Sequence, residues 1–196
     1  MQKILQIYKN ENNTELEFRY NNPNTELIKN IIKNTDGLKS IEQSINFINR
    51  QNIMQIIFID GIKKDINYYS KTRIKEFKNH DSLIPFKVSL SKEQTILPFS
   101  SNLSQFARIK LRLSIFPKEL PDWRIDITCT KRVDNIVKNL KTYKNKILYK
   151  ISVDDFINKA NWSDTQTELE VEHYNTTNKN NIDYKSVDKF IISFLD

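Results

Sequence analysis

The octapeptide TELEVEHY (167–174) sets Glu168, Glu170 and Glu172 at every second position, and TELEFRY (14–20) does the same with Glu15, Glu17 and Arg19. On a strand, side chains two residues apart share a face, roughly 6.6 Å from one another. A helix would scatter them around its axis. The residues between, Leu16, Phe18, Tyr20, Leu169 and Val171, are large and apolar, so the other face of each strand is buried. Carboxylates at that spacing repel by roughly 2 kcal/mol at an effective dielectric near 20, so each row must look onto water or cations.

The middle of the chain carries the opposite charge in the same pattern. FARIKLRLSIF (106–116) puts Arg108, Lys110, Arg112 and Ser114 on one face and Ile109, Leu111, Leu113 and Ile115 on the other, ending at Pro117. DWRIDITCTKR (122–132) opposes Arg124, Asp126 and Thr128 to Trp123, Ile125 and Ile127. In NYYSKTRIKEFK (67–78), Lys71, Arg73 and Lys75 share a parity, as do Lys87, Ser89, Ser91 and Glu93 in PFKVSLSKE (85–93). IMQIIFID (53–60) is a further strand, stopped at Gly61. Helices are expected over 1–10, over 24–50 as two helices broken at Asp36-Gly37, over 133–147, over 152–160 with Ser152 as cap and Asp155 three residues on, and over 186–195. An open sheet with one solvated face satisfies the alternation of any single strand. A closed antiparallel barrel with a polar interior accounts for the whole set, because closure brings the acidic first and last strands together and sets basic strands opposite them. The fold class is then α+β, with helices on the outer, apolar face.

A chain of 196 residues, 38% hydrophobic, reads as one domain over 1–196 with a sizeable core. Its formal net charge of +7 favours a polyanionic partner such as nucleic acid or nucleotide. The one cysteine, Cys129, excludes an internal disulfide and a cysteine-built zinc site and reads as a core residue. No apolar run is long enough to span a membrane, and MQKILQIYKN is too short and polar for a signal peptide. Phe58 stands where a K-x-D-G nucleotidyltransferase would need its lysine before Asp60-Gly61, and no Gly-rich phosphate loop is present. His80, His173 and Trp162 read as structural.

Four motifs in order, ELEFR near the start, R-x-K-x-R at Arg108–Arg112, W-R-I-D-I-T at Trp123–Thr128 and ELEVE near the end, resemble the strand motifs of the tunnel-fold, metal-dependent RNA 5′-triphosphatases of mRNA capping in fungi, protozoa and large DNA viruses. The resemblance implies an eight-stranded tunnel and hydrolysis of 5′-triphosphate-ended RNA to a diphosphate end. It implies Mg²⁺ or Mn²⁺ held by Glu15, Glu17 and Glu172, and a γ-phosphate held by Arg73, Lys110 and Arg112. Glu168 and Glu170 would support bound water and the basic side chains. Arg124 and Asp126 would orient the acidic residues, and Lys75, Lys87 and Arg108 would extend the substrate contacts. Glu93 is the candidate for positioning the attacking water, with Glu76 and Glu119 as alternatives.

By the same resemblance the partners are guanylyltransferase and cap methyltransferase domains or subunits, with no membrane. The resemblance is equally compatible with the N-terminal part of a longer capping enzyme. The expected location is the cytoplasm, in a viral factory or virion, or the nucleus. Two other readings stay open: a tunnel enzyme acting on inorganic triphosphate, thiamine triphosphate or nucleotides, and a non-catalytic RNA-binding module.

Overall fold

The alternating segments do close. In the computed structural model, which describes residues 1–20, 23–59, 62–134, 152–159, 166–175, 179 and 182–195, the strands are β1 (Thr14–Tyr20), β2 (Gly37–Asn49), β3 (Asn52–Ile59), β4 (Ile62–Asn79), β5 (Phe86–Thr95), β6 (Phe106–Pro117), β7 (Trp123–Val133) and β8 (Gln166–His173). They form one closed antiparallel barrel in the order β1-β5-β4-β3-β2-β6-β7-β8. The two acidic strands are neighbours: Glu17 pairs with Glu172 and Arg19 with Glu170.

The hydrophobic core lies outside this barrel. Leu16, Phe18, Tyr20, Val88, Leu90, Ile125, Ile127, Leu169 and Val171 point outward and pack under helices α1 (Gln2–Asn10), α2 (Thr25–Asn34), α3 (Val153–Lys159) and α4 (Tyr184–Ile192). Each helix contributes one apolar stripe at helical spacing: Ile4 and Tyr8, then Leu27, Ile28, Ile31 and Ile32, then Phe156, then Val187 and Ile191. Full burial of each large apolar side chain is worth about 1.5–3 kcal/mol, so this shell, not the lumen, supplies most of the stability. Side-chain caps set the helix starts. Asn24 accepts from the Leu27 amide at 2.7 Å, and Asp183 accepts from the Lys185 and Ser186 amides at 3.0 and 3.3 Å. Ser152 and Asp155 cap α3 reciprocally, as expected. Cys129 and His173 belong to the outer shell; Tyr8 Oη lies 3.0 Å from His173 Nδ1, whose ring meets Trp123 edge-on.

Two readings of the sequence need correction. Residues 37–49 are strand β2, not the second of two helices. Leu38, Ile41, Ile45 and Ile48 recur at three- and four-residue spacing, which reads as a helical stripe. Pairing with β3 on one edge and along twelve residues of β6 on the other overrides that local signal. Gly37 is where the strand begins: a Cβ there would sit 2.1 Å from the Phe116 carbonyl oxygen. The second correction concerns Lys75. The β4–β5 register shifts between Arg73 and Lys75, so Lys75 stands opposite the outward-facing Leu90 and is exposed. The shared parity with Lys71 and Arg73 ends at that bulge. The helix expected over 133–147 lies almost wholly outside the described residues, as do Asp60-Gly61, Trp162 and much of the 175–181 loop.

Candidate active site

The inward faces of the strands enclose a cavity of about 1590 Å³. Its acidic wall comes from β1 and β8. Glu15, Glu17, Glu168, Glu170 and Glu172 all line it, and Glu17 and Glu170 are each only 7% exposed. Lys71 of β4 reaches across β5 to pair closely with Glu15, lies 3.9 Å from Glu17 and is 3.4 Å from Glu93. Arg19 bridges Glu17 at 3.0 Å and, closely, Glu170. Arg124 Nη2 donates to Glu172 at 2.6 Å and to Asp126 at 2.9 Å.

These partners do not neutralise the wall. Burial, then repulsion from Glu170, pushes the Glu17 carboxyl up to about 7. Burial, then Glu15, pushes Glu172 up to about 8. For Glu15 itself burial acts upward, but the Lys71 ammonium outweighs it and holds the carboxyl below its ordinary value. Glu170 is likewise held low against burial by Arg19 and Lys110.

The basic side chains of β6 and β7, with Lys110, Arg112 and Arg124 in the lining, adjoin the acidic wall and do not stand opposite it as expected, because β7 pairs directly with β8. Beneath them, Asp126 is 1% exposed and accepts from Ser114 Oγ at 2.7 Å and from Arg124 Nε at 3.1 Å, with Arg112 Nη1 at 3.5 Å. A single buried carboxylate thus orients two guanidinium groups and reaches Glu172 through one of them. Among the described residues Lys110 makes no ion pair. Beside it, Arg112 Nε, Thr128 Oγ1 and Thr130 Oγ1 are buried without hydrogen-bond partners. Burial and then Arg112 hold the Lys110 ammonium below its ordinary pKa. Glu170 and Glu168 act on Lys110 from a distance in the opposite sense, and Asp126 pairs with Arg112, so the cluster is partly compensated but its donors are not all satisfied.

Most of the residues expected at the site meet in this one cavity: Glu15, Glu17, Arg73, Glu93, Arg108, Lys110, Arg112, Arg124, Glu168, Glu170 and Glu172. Asp126 sits under the lining. Lys87 shares the inward face, paired with Arg19 and Lys78, but does not line the cavity. Lys75 is outside. Arg73 is bonded to Glu76 at 2.9 Å, and Glu119 is exposed in the turn after Pro117. Lys71 joins the site beyond the residues expected from the motifs, its parity with Arg73 being the signal in the sequence, and Glu42 lies in a segment whose apolar spacing reads as helix. Glu42 pairs directly with Arg112 in the β2–β6 register. Among the described residues no three acidic or histidine side chains stand as a ready-made metal cage; the carboxylates are taken up by Lys71, Arg19 and Arg124.

The whole barrel superposes on solved proteins. The RNA triphosphatase domain of a trifunctional mimivirus mRNA capping enzyme aligns with a TM-score of 0.62 at 17% identity, over 98% of this chain and 92% of that one. The fold is the tunnel of the RNA triphosphatases. Pct1 RNA triphosphatase of S. pombe shows the same tunnel at 12% identity and a TM-score of 0.60, over 98% of this chain and 88% of that one. No protein-family model and no curated protein matches the sequence. The tunnel is thus evident in the backbone where most side chains differ. No helix among the described residues is long and apolar enough to cross a membrane.

Proposed function

We propose that this chain removes the γ-phosphate from triphosphate-ended RNA, leaving a diphosphate end and phosphate, in support of mRNA capping. The observation that carries the reading is Lys110, without an ion pair among the described residues, and the unsatisfied Arg112 Nε, Thr128 Oγ1 and Thr130 Oγ1, set beside a wall of buried carboxylates. An anion fits the first and a cation the second, and a triphosphate with a divalent ion brings both.

The donor set of the acidic wall suits a hard cation. Glu15, Glu17 and Glu172 offer only carboxylate oxygens, which Mg²⁺ and Mn²⁺ prefer. Burial and then a neighbouring carboxylate, Glu170 for Glu17 and Glu15 for Glu172, raise the pKa of these two groups, and a bound cation would oppose both effects. When bound there, the ion would polarise a phosphoryl oxygen and offset charge on the leaving group. The protein's own groups do the rest. Lys110 and Arg112 hold the γ-phosphate and stabilise its negative charge with donors fixed in advance by the barrel wall. Asp126 and Arg124 hold Arg112 and Glu172 in place. Glu93, beside Lys71, orients the attacking water, and Arg73 and Arg108 receive the remaining phosphates. Guanylyltransferase and cap methyltransferase activities would act on the diphosphate end that is released.

Phosphate release from γ-labelled triphosphate-ended RNA tests the proposal. Release should require Mg²⁺ or Mn²⁺ and stop with chelator. Metal-independent release, or none with either ion, would refute it.

A further inference from the structure

The lumen is not charged throughout. Along β4 the inward-facing residues run Arg73, Lys71, Tyr69, Asn67, so two cations give way to an aromatic ring and then a carboxamide. Both changes continue across the neighbouring strands. Ile48 of β2 pairs with Ile53 of β3, which pairs with Tyr69 of β4. One step along, Asn46 pairs with Gln55, which pairs with Asn67. All six side chains line the same cavity as the phosphate-binding cluster.

Neither row is explained by the reaction. A tunnel serving polyphosphate alone has no use for an apolar row beside its cations. The carboxamide row is not self-satisfied either: Asn46 is 4% exposed and its Oδ1 is buried without a hydrogen-bond partner. Tyr69 stands two residues from Lys71, a step of roughly 6.6 Å along a strand, with no other side chain between them on that face. On the β6 side Asn46 pairs with Arg108 and Ile48 with Phe106, so the apolar row adjoins Lys71 and the carboxamide row adjoins Arg108. A group bonded to a triphosphate held by these cations therefore meets a flat aromatic, two isoleucines and amide donors and acceptors together, a set that matches a nucleobase, whose faces stack on apolar surface and whose edges hydrogen-bond to carboxamides.

We infer that the Ile48–Ile53–Tyr69 row and the Asn46–Gln55–Asn67 row form a subsite for the base of the first nucleotide, so that the substrate is a nucleoside- or RNA-linked triphosphate and not bare tripolyphosphate. The inference rests on the triphosphatase reading and sharpens it. The two ligands that separate them are the β,γ-imido analogue of ATP and inorganic tripolyphosphate, titrated calorimetrically with Mg²⁺, alongside phosphate release from ATP and tripolyphosphate.

Wild type should bind the nucleotide about tenfold more tightly, from the usual worth of stacking one base. Tyr69→Ala and Asn46→Ala should erase that preference by weakening the nucleotide alone, and Tyr69→Phe should keep it. If wild type binds the two ligands equally, or the variants weaken both alike, the subsite is wrong even though phosphate release continues. If neither ligand binds and neither is hydrolysed, the triphosphatase reading falls and the subsite with it. Circular dichroism checks that each variant is folded, and Asn46→Ala alone decides the matter should Tyr69→Ala fail to fold.

Discussion

The two charged walls of the tunnel hold their charges differently. On the β1/β8 wall each buried glutamate named above has a cation in reach: Lys71 for Glu15, Arg19 for Glu17 and Glu170, Arg124 for Glu172. On the β6/β7 wall Lys110 has no ion pair among the described residues, and three neighbouring donors are unsatisfied. One wall is preassembled and over-rich in carboxylate, and the other is left open. The difference teaches where ligands belong. A cation can enter the first only by sharing or displacing internal partners, whereas an anion can meet Lys110 of the second without breaking an ion pair among the described residues.

Substitutions should separate the walls. The largest effect is expected from Glu17→Ala and Glu172→Ala, each lowering turnover on the order of a thousandfold, as for loss of a principal electrostatic contact to the reacting phosphate. Steady-state phosphate release reads this, and near-normal rates would detach the acidic wall from the reaction.

Stability makes the sharpest contrast. Arg124→Met removes the partner of Asp126 and Glu172 and should cost about 3–5 kcal/mol in denaturant unfolding, because buried charges are left uncompensated. Lys110→Met removes a charge whose burial and repulsion from Arg112 outweigh the distant attraction of Glu170 and Glu168, and should leave stability unchanged or raise it. The depressed pKa of Lys110 gives the sign. The folded state sheds this proton more readily than the unfolded state, so the charged lysine weighs against folding below its folded pKa, and stability rises as pH climbs towards the unfolded value. Equal losses in the two variants would erase the distinction between the walls.

Metal should act on the acidic wall alone. Mg²⁺ at a hundredfold excess over Kd should stabilise wild type by about 2.7 kcal/mol, roughly 5 to 10 °C in Tm for a chain of this size. Glu17→Gln/Glu172→Gln should lose that shift, and Na⁺ at matched ionic strength should not reproduce it. The smallest effect is expected from Arg112→Lys, about a ten- to hundredfold loss of kcat/KM with little change in stability, since an ammonium cannot replace a planar fork across two phosphate oxygens. A loss below twofold would place Arg112 outside the phosphate contacts.

Much of this was legible in the chain itself, because strand alternation is a local property. Glu15/Glu17, Arg108/Lys110/Arg112, Arg124/Asp126 and Glu168/Glu170/Glu172 were sorted onto one face by period two alone, and their apolar partners onto the other. The capping residues of α3 could be read for the same reason. Lys71 shows the limit. Its parity was evident, yet only closure of the barrel reveals that it spans Glu15, Glu17 and Glu93.

The sequence by itself determined that this chain forms strands with one charged and one apolar face, acidic at its two ends and basic between. The tertiary structure decided the rest. Leu38, Ile41, Ile45 and Ile48 suit a helix as well as a strand, and β2 exists because the edges of β3 and β6 would otherwise leave their backbone groups unpaired. The bulge after Arg73 is one residue of register against β5, with no mark in composition, and it turns Lys75 out of the tunnel. The row from Ile48 through Ile53 to Tyr69 joins three strands through their pairing. Each of these depends on which strand lies beside which, and that is fixed by closing the barrel, not by the preference of any segment.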